Sequence, residues 1–411
     1  LPALRLRRLL AAVAAGGLAA TMGPAAAARA DEPVPVPDPG AITLTGDGYG
    51  HGVGMSQYGA YSAAYNGLAG YKKILRFYYR GIDKRFGEAR GRMKVLVSAD
   101  NSTLIVRDAP GLVVRRVDSG RTFHLDGVKR AKRWRVRAVG DDRSEVAYRS
   151  RGWHVLRTIR GDVELQAHGP LSLLVAGGVR DYRGALRSAS YDGHRVTVDV
   201  LPMEAYVRGV VTSEMYSNWP QQALRAQAVA SRTYAAYERA HTARAAYDLC
   251  DTASCQAYRG VAGESSGGTK AARATAHQVL TDDGELAYAQ FSASNGGWTV
   301  ADDRFPYLQA REDDWEGTST DYYGWTKTLS DADVEAQWPA IGNLTSLTVD
   351  QRDGHDRDAS RGGRALTLTL TGDAGSVDVD AATFQRRFGL RSTLFTVVAC
   401  APDQATPDCP S

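Results

Sequence analysis

Three stretches of this 411-residue chain combine residue types that could do chemistry. In Val210-Val211-Thr212-Ser213-Glu214-Met215 one carboxylate sits among apolar neighbours, just ahead of Asn218-Trp219-Pro220. Partial burial raises a carboxyl pKa and keeps the group protonated near neutral pH. That is the state a general acid for glycosidic cleavage needs. A Glu that only caps a helix or closes a salt bridge would look the same in sequence. The second stretch is Gly50-His51-Gly52-Val53-Gly54-Met55-Ser56-Gln57-Tyr58-Gly59-Ala60. Glycines at alternate positions let backbone approach another group closely, displaying His51, Ser56 and Gln57 on a tight turn into a helix. No Gly-Lys-Ser/Thr follows, so a phosphate loop is a poor match, and a plain packing loop stays open beside a binding role. The third is Phe291-Ser292-Ala293-Ser294-Asn295-Gly296-Gly297. Ser292 and Ser294 fall on one face of a strand, suited to sugar hydroxyls or an N-acetyl group, or else to turn chemistry at a strand end. No His and Asp nearby in sequence give either Ser the setting of an activated nucleophile.

The elements that must position these groups follow from periodicity. A helix is expected from about Ser56 to Arg80. Short alternating runs between Met93 and Val200, split by Gly and Asp, read as antiparallel strands. Pro202 and Pro220 each open a helix. The second, from about Pro220 to Ala240, is Ala-rich, with Leu224, Ala228 or Val229, and Tyr234 at core-facing spacing. Ser265–Val279 reads as a third helix and Tyr288–Ser294 as a strand. Leu344–Val397 is again β-rich, with a short helix around Ala381–Phe388. The fold class is therefore α+β, with helices inserted between strand-rich parts.

Composition narrows the classes. With 43% hydrophobic and 23% charged residues, the chain can bury a core and is not disordered in the main. Nothing past the first thirty residues resembles a spanning helix. The 43 glycines follow no G-X-Y period, which excludes a collagen-like rod. The chain opens with Arg5, Arg7 and Arg8, an apolar run from Leu9 to about Met22, and Ala28-Arg29-Ala30. These are the three parts of a secretory signal peptide, with an uncleaved anchor as the competing reading. Removing this leader takes the formal charge from +4 to zero, because it holds Arg5, Arg7, Arg8 and Arg29 and no acid. Pro33 to Pro39 reads as an extended tether. The remaining charge is uneven: residues 84–160 hold 20 Lys and Arg against 8 acids, whereas 281–340 hold 13 acids against 3 bases. A solvated strand face and attraction to anionic wall polymer both account for the basic part. Secretion argues against a nucleic-acid partner. Four cysteines, Cys250, Cys255, Cys400 and Cys409, suit two disulfides in an exported chain. Close spacing suggests Cys250–Cys255 and Cys400–Cys409, though three connectivities are possible and a thiolate metal site rivals the first pair.

Read together, these segments resemble the SpoIID/LytB family of sporulation protein D and amidase enhancers. The resemblance rests on Leu201-Pro202-Met203-Glu204-Ala205-Tyr206, on Ser213-Glu214-Met215 with Trp219-Pro220, and on Ala226-Gln227-Ala228-Val229-Ala230-Ser231-Arg232-Thr233-Tyr234. Tyr247-Asp248-Leu249-Cys250-Asp251, Ser292–Gly297, Gly389-Leu390-Arg391-Ser392-Thr393 and the GHGVGMSQYGA loop add to it. In the family order that loop follows the LRST segment, whereas here it comes first, as in a circular permutation. The Gly50–Tyr58 loop should then touch the 201–300 core. Members with a metal-type cysteine motif carry a His before the second Cys; here Ser254 stands there, so the resemblance favours a disulfide and implies no metal and no cofactor.

The resemblance implies a secreted, cell-wall-associated lytic transglycosylase acting on peptidoglycan glycan strands, with Glu214 catalytic. His51, Ser56, Gln57, Gln227, Arg232, Ser292 and Ser294 are expected to line the glycan groove. Asp248 and Asp251 are the nearest second carboxylates in sequence if water were the nucleophile. A non-catalytic amidase enhancer, with a wall amidase as partner, or a wall-binding module are the alternatives. The expected organisation is a signal peptide over 1–30, a tether over 31–40, and the loop and its helix over 41–90. A β-rich subdomain over 91–200, a catalytic core over 201–300, a C-terminal β-rich part over 301–397 and a Cys-containing tail over 398–411 follow.

Overall fold

The computed structural model describes residues 30–99, 103–317, 321–357 and 361–400. The expected leader, apart from Ala30, and Cys409 of the second expected disulfide lie outside them. Alternating residues between 92 and 202 build two large sheets. One has seven strands in the order 249–250, 92–96, 194–202, 185–191, 163–166, 113–116 and 122–124. The other has six, in the order 153–160, 143–149, 133–139, 104–107, 171–175 and 178–182. The pattern sorts the faces: along Arg133–Val139, Trp134 and Val136 are buried while Arg133 and Arg137 face solvent.

Five helices form the helical part: α1 (Gln57–Tyr65), α2 (Tyr71–Tyr78), α3 (Met203–Glu214), α4 (Gln221–His241) and α5 (Ser266–Ala274); α3 packs on strands 194–202 and 92–96, and α1, α2 and α5 pack on α4. Pro202 and Pro220 occupy the N-cap positions of α3 and α4. The single helix expected from Ser56 to Arg80 is two. Gly67, with φ of 68°, turns the chain after α1, and Gly70 caps α2. The helix expected to reach Val279 stops at Ala274. There His277 takes a φ of 66° and gives its N–H to Glu204 Oε1. Gln278–Val279 is thereby released to pair with Gly87–Glu88. Of the strand expected over 288–294, Phe291–Ser292 pairs in parallel with Met55–Ser56, and Ser294 forms an isolated antiparallel bridge with Tyr49.

Helix α4 is buried nearly all round, from Ala223 and Leu224 to Ala235 and Ala236. Its small residues let α3 and α5, which also touch each other, pack close against it, and Tyr234, expected to face the core, instead edges onto a cavity. Arg232 locks this packing. Its side chain is fully buried, donates twice to the Glu204 carboxylate at 2.8 Å and reaches the carbonyls of Ala228, Ala272 and Gln278.

A second apolar cluster joins Ile42 and Leu44 to Trp325, Leu368, Phe384 and Phe395. It includes α6 (Asp331–Gln337) and α7 (Ala381–Phe388) and a four-stranded sheet of 34–35, 344–352, 365–372 and 376–380. Strand Ala41–Gly46 runs antiparallel between Trp325–Ser330 and Phe395–Cys400, with Gly46 opposite Phe395. The architecture is mixed α+β. Among the described residues no helix is long and apolar enough to cross a membrane.

Candidate active site

The Gly-rich loop leaves strand Ala41–Gly46 and crosses to the helical core. Tyr49 N–H donates to the Ser294 carbonyl at 2.9 Å, and Ser294 N–H returns to Tyr49 at 3.1 Å. Gly52 N–H donates to Ser292 Oγ at 3.3 Å. Gly50 must be glycine on two counts: its φ is +104°, and a Cβ there would lie 2.7 Å from Ser292 Cβ. The loop thus touches the segment expected to hold the catalytic core.

Beneath the loop lies a buried carboxylate that the sequence reading missed. Glu316 accepts hydrogen bonds from Ser56 Oγ at 2.5 Å, from Ser294 Oγ and from Asn295 N–H at 3.0 Å. Ser56 also caps α1, accepting from Gly59 N–H at 3.0 Å. Asp313 does similar work, accepting from Tyr78 Oη at 2.7 Å and Asn295 Nδ2 at 2.8 Å. Burial pushes the pKa of both acids up.

Glu214 is the last residue of α3 and is half-buried. Desolvation raises its pKa; the Ala257 N–H, the Gln57 amide and the Arg259 charge oppose that shift without cancelling it. A carboxylate at a helix C-terminus also meets the negative end of the helix dipole, which acts in the raising direction. Ala257 N–H donates to Glu214 Oε1 at 2.5 Å. Gln57 also donates to Gln227 Oε1 at 3.4 Å, and Gln227 to Ser231 Oγ at 3.0 Å, so a buried amide chain fixes the Gln57 side chain.

Two cavities meet at this carboxyl. One, of about 400 Å³, is walled by His51, Gln57, Tyr234, Ser254, Tyr288 and Ser292. The other, of about 660 Å³, is walled by Tyr58, Tyr216, Trp219, Arg259 and Tyr322. Tyr49, Gln57, Glu214 and Ala293 line both, so the acid sits midway along a groove. The second half is rich in aromatic faces. Tyr58 packs edge-on against Trp219 and Tyr322, with ring centroids 5.0 Å away in each case, and Tyr216 is 60% exposed. Such rings suit the apolar faces of sugars. At the first half, His51 is exposed at the mouth of the cavity. Its Nδ1 accepts from Val53 N–H at 3.0 Å, so the ring presents itself neutral.

Four expected groove residues are placed otherwise. Ser56, Ser294, Gln227 and Arg232 are all buried, and none lines either cavity. Their polar groups are consumed by Glu316, by the amide chain and by Glu204, so they hold the walls rather than face them. His51, Gln57, Ser292 and Glu214 do face the groove. Asp248 and Asp251 lie apart from it, held on strand Arg92–Leu96 and its end by Lys94 and by the Ser98 N–H. Cys250 and Cys255 form a disulfide, with Cα atoms 5.5 Å apart, and Cys255 lines the first cavity. The aromatic wall was the overlooked signal: Tyr58, Tyr61 and Tyr65 repeat at helical spacing just after the glycine loop.

Residues 191–281 match the family model of Stage II sporulation protein, SpoIID. Over 136 residues the chain is 36% identical to the amidase enhancer of Bacillus subtilis (strain 168), covering 32% of this chain and 18% of that one. Over 181 residues it is 28% identical to Stage II sporulation protein D of the same organism, covering 37% of this chain and 52% of that one. It is also 35% identical over 120 residues to an uncharacterized protein of Brachyspira hyodysenteriae (strain ATCC 49526 / WA1), covering 29% of this chain and 33% of that one. The chain therefore spans well under two thirds of the length of each of these relatives.

Proposed function

The chain belongs to the SpoIID/LytB family, and from that premise we propose that it is a secreted peptidoglycan lytic transglycosylase with Glu214 as its one acid–base residue. The observation that carries this reading is the position of Glu214: a carboxyl with a raised pKa, midway along a sugar-sized groove shared by two cavities. Protonated Glu214 donates to the glycosidic oxygen between MurNAc and GlcNAc as that bond breaks. The C6 hydroxyl of the MurNAc attacks C1 of the oxocarbenium-like centre and gives its proton to the Glu214 carboxylate. The products are a free GlcNAc 4-hydroxyl and a 1,6-anhydro-MurNAc end, and the acid is restored.

Hydrolysis would call for a second carboxylate about 5–9.5 Å from the first. Of the cavity-lining residues the other carboxylate is Glu264, and Arg183 binds it at both oxygens. That supports attack by the sugar's own hydroxyl. The circular permutation is part of the same reading. Ala41 pairs with Cys400 and Gly46 with Phe395, the register of a hairpin whose turn would join these two strands. The glycine loop therefore starts where the LRST segment arrives, as in the family order.

The test is mature protein incubated with purified glycan strands, with and without stem peptides, beside a folded Glu214→Gln variant. Anhydro-MurNAc ends that vanish in the variant support the reading; reducing ends overturn it in favour of hydrolysis. The second reading, a non-catalytic amidase enhancer, is favoured by the 36% identity to a relative of that name. It predicts no cleavage of either strand type but faster cleavage by an added wall amidase.

A further inference from the structure

The outer face of the six-stranded sheet carries a row of like charges. Arg107 pairs across the sheet with Arg133, and Arg133 with Arg149. Directly opposed residues share a face, so three guanidiniums stand side by side over about 10 Å, two interstrand spacings. All three are exposed. Among the described residues no carboxylate pairs with any of them. Of the acids on or beside these strands, Glu145 is held by Arg135 and Arg137, Asp142 by Arg143 and Arg160, Asp108 by Trp134 Nε1 and Asp181 by Ser172 Oγ. Like charges placed opposite one another destabilise a sheet, so the row is a standing cost that a bound anion would remove.

The row ends on an aromatic platform. Arg149 pairs with Trp153 on the edge strand, and the Arg135 guanidinium lies 4.6 Å from the Trp153 ring centroid. Val155 follows on the same strand, 59% exposed. Lys129, Arg130, Lys132 and Arg151 surround this end of the sheet, all exposed. We propose that the Arg107–Arg133–Arg149 row is a docking site for a linear phosphodiester polymer of the cell wall, separate from the glycan groove. Guanidinium forks match phosphate oxygens two at a time. A row across strands fits a repeating charge better than a lone anion, and Trp153 with Val155 offers an apolar rail for the uncharged carbons between phosphates. Bound this way, the β-rich part would hold the enzyme on the wall.

The experiment measures binding of labelled poly(glycerol phosphate) to the whole protein at about 50 and 200 mM salt. Wild type should bind, and more weakly at the higher salt. Combined Arg107→Ser, Arg133→Ser and Arg149→Ser should weaken binding at least about tenfold. The same variant should cleave short, unsubstituted glycan strands in solution as wild type does, which also checks its fold. Glu214→Gln should bind the polymer normally, so loss of catalysis and loss of docking are told apart. Undiminished binding by the triple variant overturns the proposal. So does equal or tighter binding of polyglutamate or duplex DNA, which would make the row a general or nucleic-acid anion site.

Discussion

Ala257 N–H donates to Glu214 Oε1 at 2.5 Å, and Ala257 lies two positions past Cys255, one end of the Cys250–Cys255 disulfide. The bridge therefore braces the loop that supplies the carboxyl's backbone donor. The same loop walls the first cavity through Ala253, Ser254 and Cys255. Combined Cys250→Ser and Cys255→Ser should lower kcat about tenfold, one hydrogen bond's worth to a charged group, while KM moves less. The alkaline limb of the kcat profile should also move up, because a lost donor raises the carboxyl pKa further. A kcat and pH profile unaltered by the double substitution would remove the disulfide from the mechanism.

In the proposed mechanism Glu214 must be protonated to act as the acid. Its raised pKa keeps that form present at higher pH than an ordinary carboxyl would, and cleavage should fall as pH rises through it. Gln57 stabilises the charged form. Gln57→Leu should therefore shift the alkaline limb upward, and cleavage followed from pH 4 to 9 would show it. An unmoved limb with a raised KM would mean that Gln57 touches substrate rather than the acid.

The place of Glu214 on the groove was legible in the sequence from local context, an acid among apolar residues at a helix end. His51, Gln57 and Ser292 were legible through the glycine loop and the strand before Asn295. Ser56, Ser294, Gln227 and Arg232 were misjudged for one shared reason. A polar residue type does not say whether its partner is a ligand or a buried group far along the chain. Glu316 lies 260 residues from Ser56, and periodicity carries no such pairing. The helix expected over 56–80 divides because Gly67 and Gly70 interrupt an otherwise regular apolar pattern, and the sequence reading let the pattern outweigh them.

Arg232 gives a direct check of that correction. It is paired with Glu204 inside the α3–α4–α5 packing. Arg232→Met leaves the Glu204 carboxylate with only the His277 N–H and should cost about 2–3 kcal/mol of stability, read by denaturant unfolding. For the fraction that remains folded, KM for glycan should be unchanged. A raised KM at native stability would return Arg232 to the groove.

Tyr216 stands 60% exposed on the wall of the second cavity and lies tilted beside Trp219, with centroids 5.6 Å apart. Tyr216→Ala should raise KM for glycan strands about five- to tenfold, in line with an aromatic contact of about 1 kcal/mol. Thermal stability should change little, since the ring is mostly outside the core. A falling Tm with constant KM would mark the ring as packing alone.

Buried carboxyls should make the fold less stable in alkali. Asp199, fully buried under Tyr258 Oη at 2.8 Å, has its pKa pushed up to about 7, chiefly by desolvation. Asp313 and Glu316 shift in the same direction. An acid whose folded pKa is raised binds its proton more tightly when folded. Its stabilising contribution is therefore full below the unfolded pKa, near 4, and is lost as pH rises through the folded value. Between pH 5 and pH 8 the Tm should fall by a few degrees, at about 1 °C per kcal/mol for a chain of this size. Asp199→Asn removes the titrating group and should flatten the fall, gaining on wild type at pH 8 but not at pH 4. Parallel Tm curves for variant and wild type across that range would show that Asp199 does not govern the pH response.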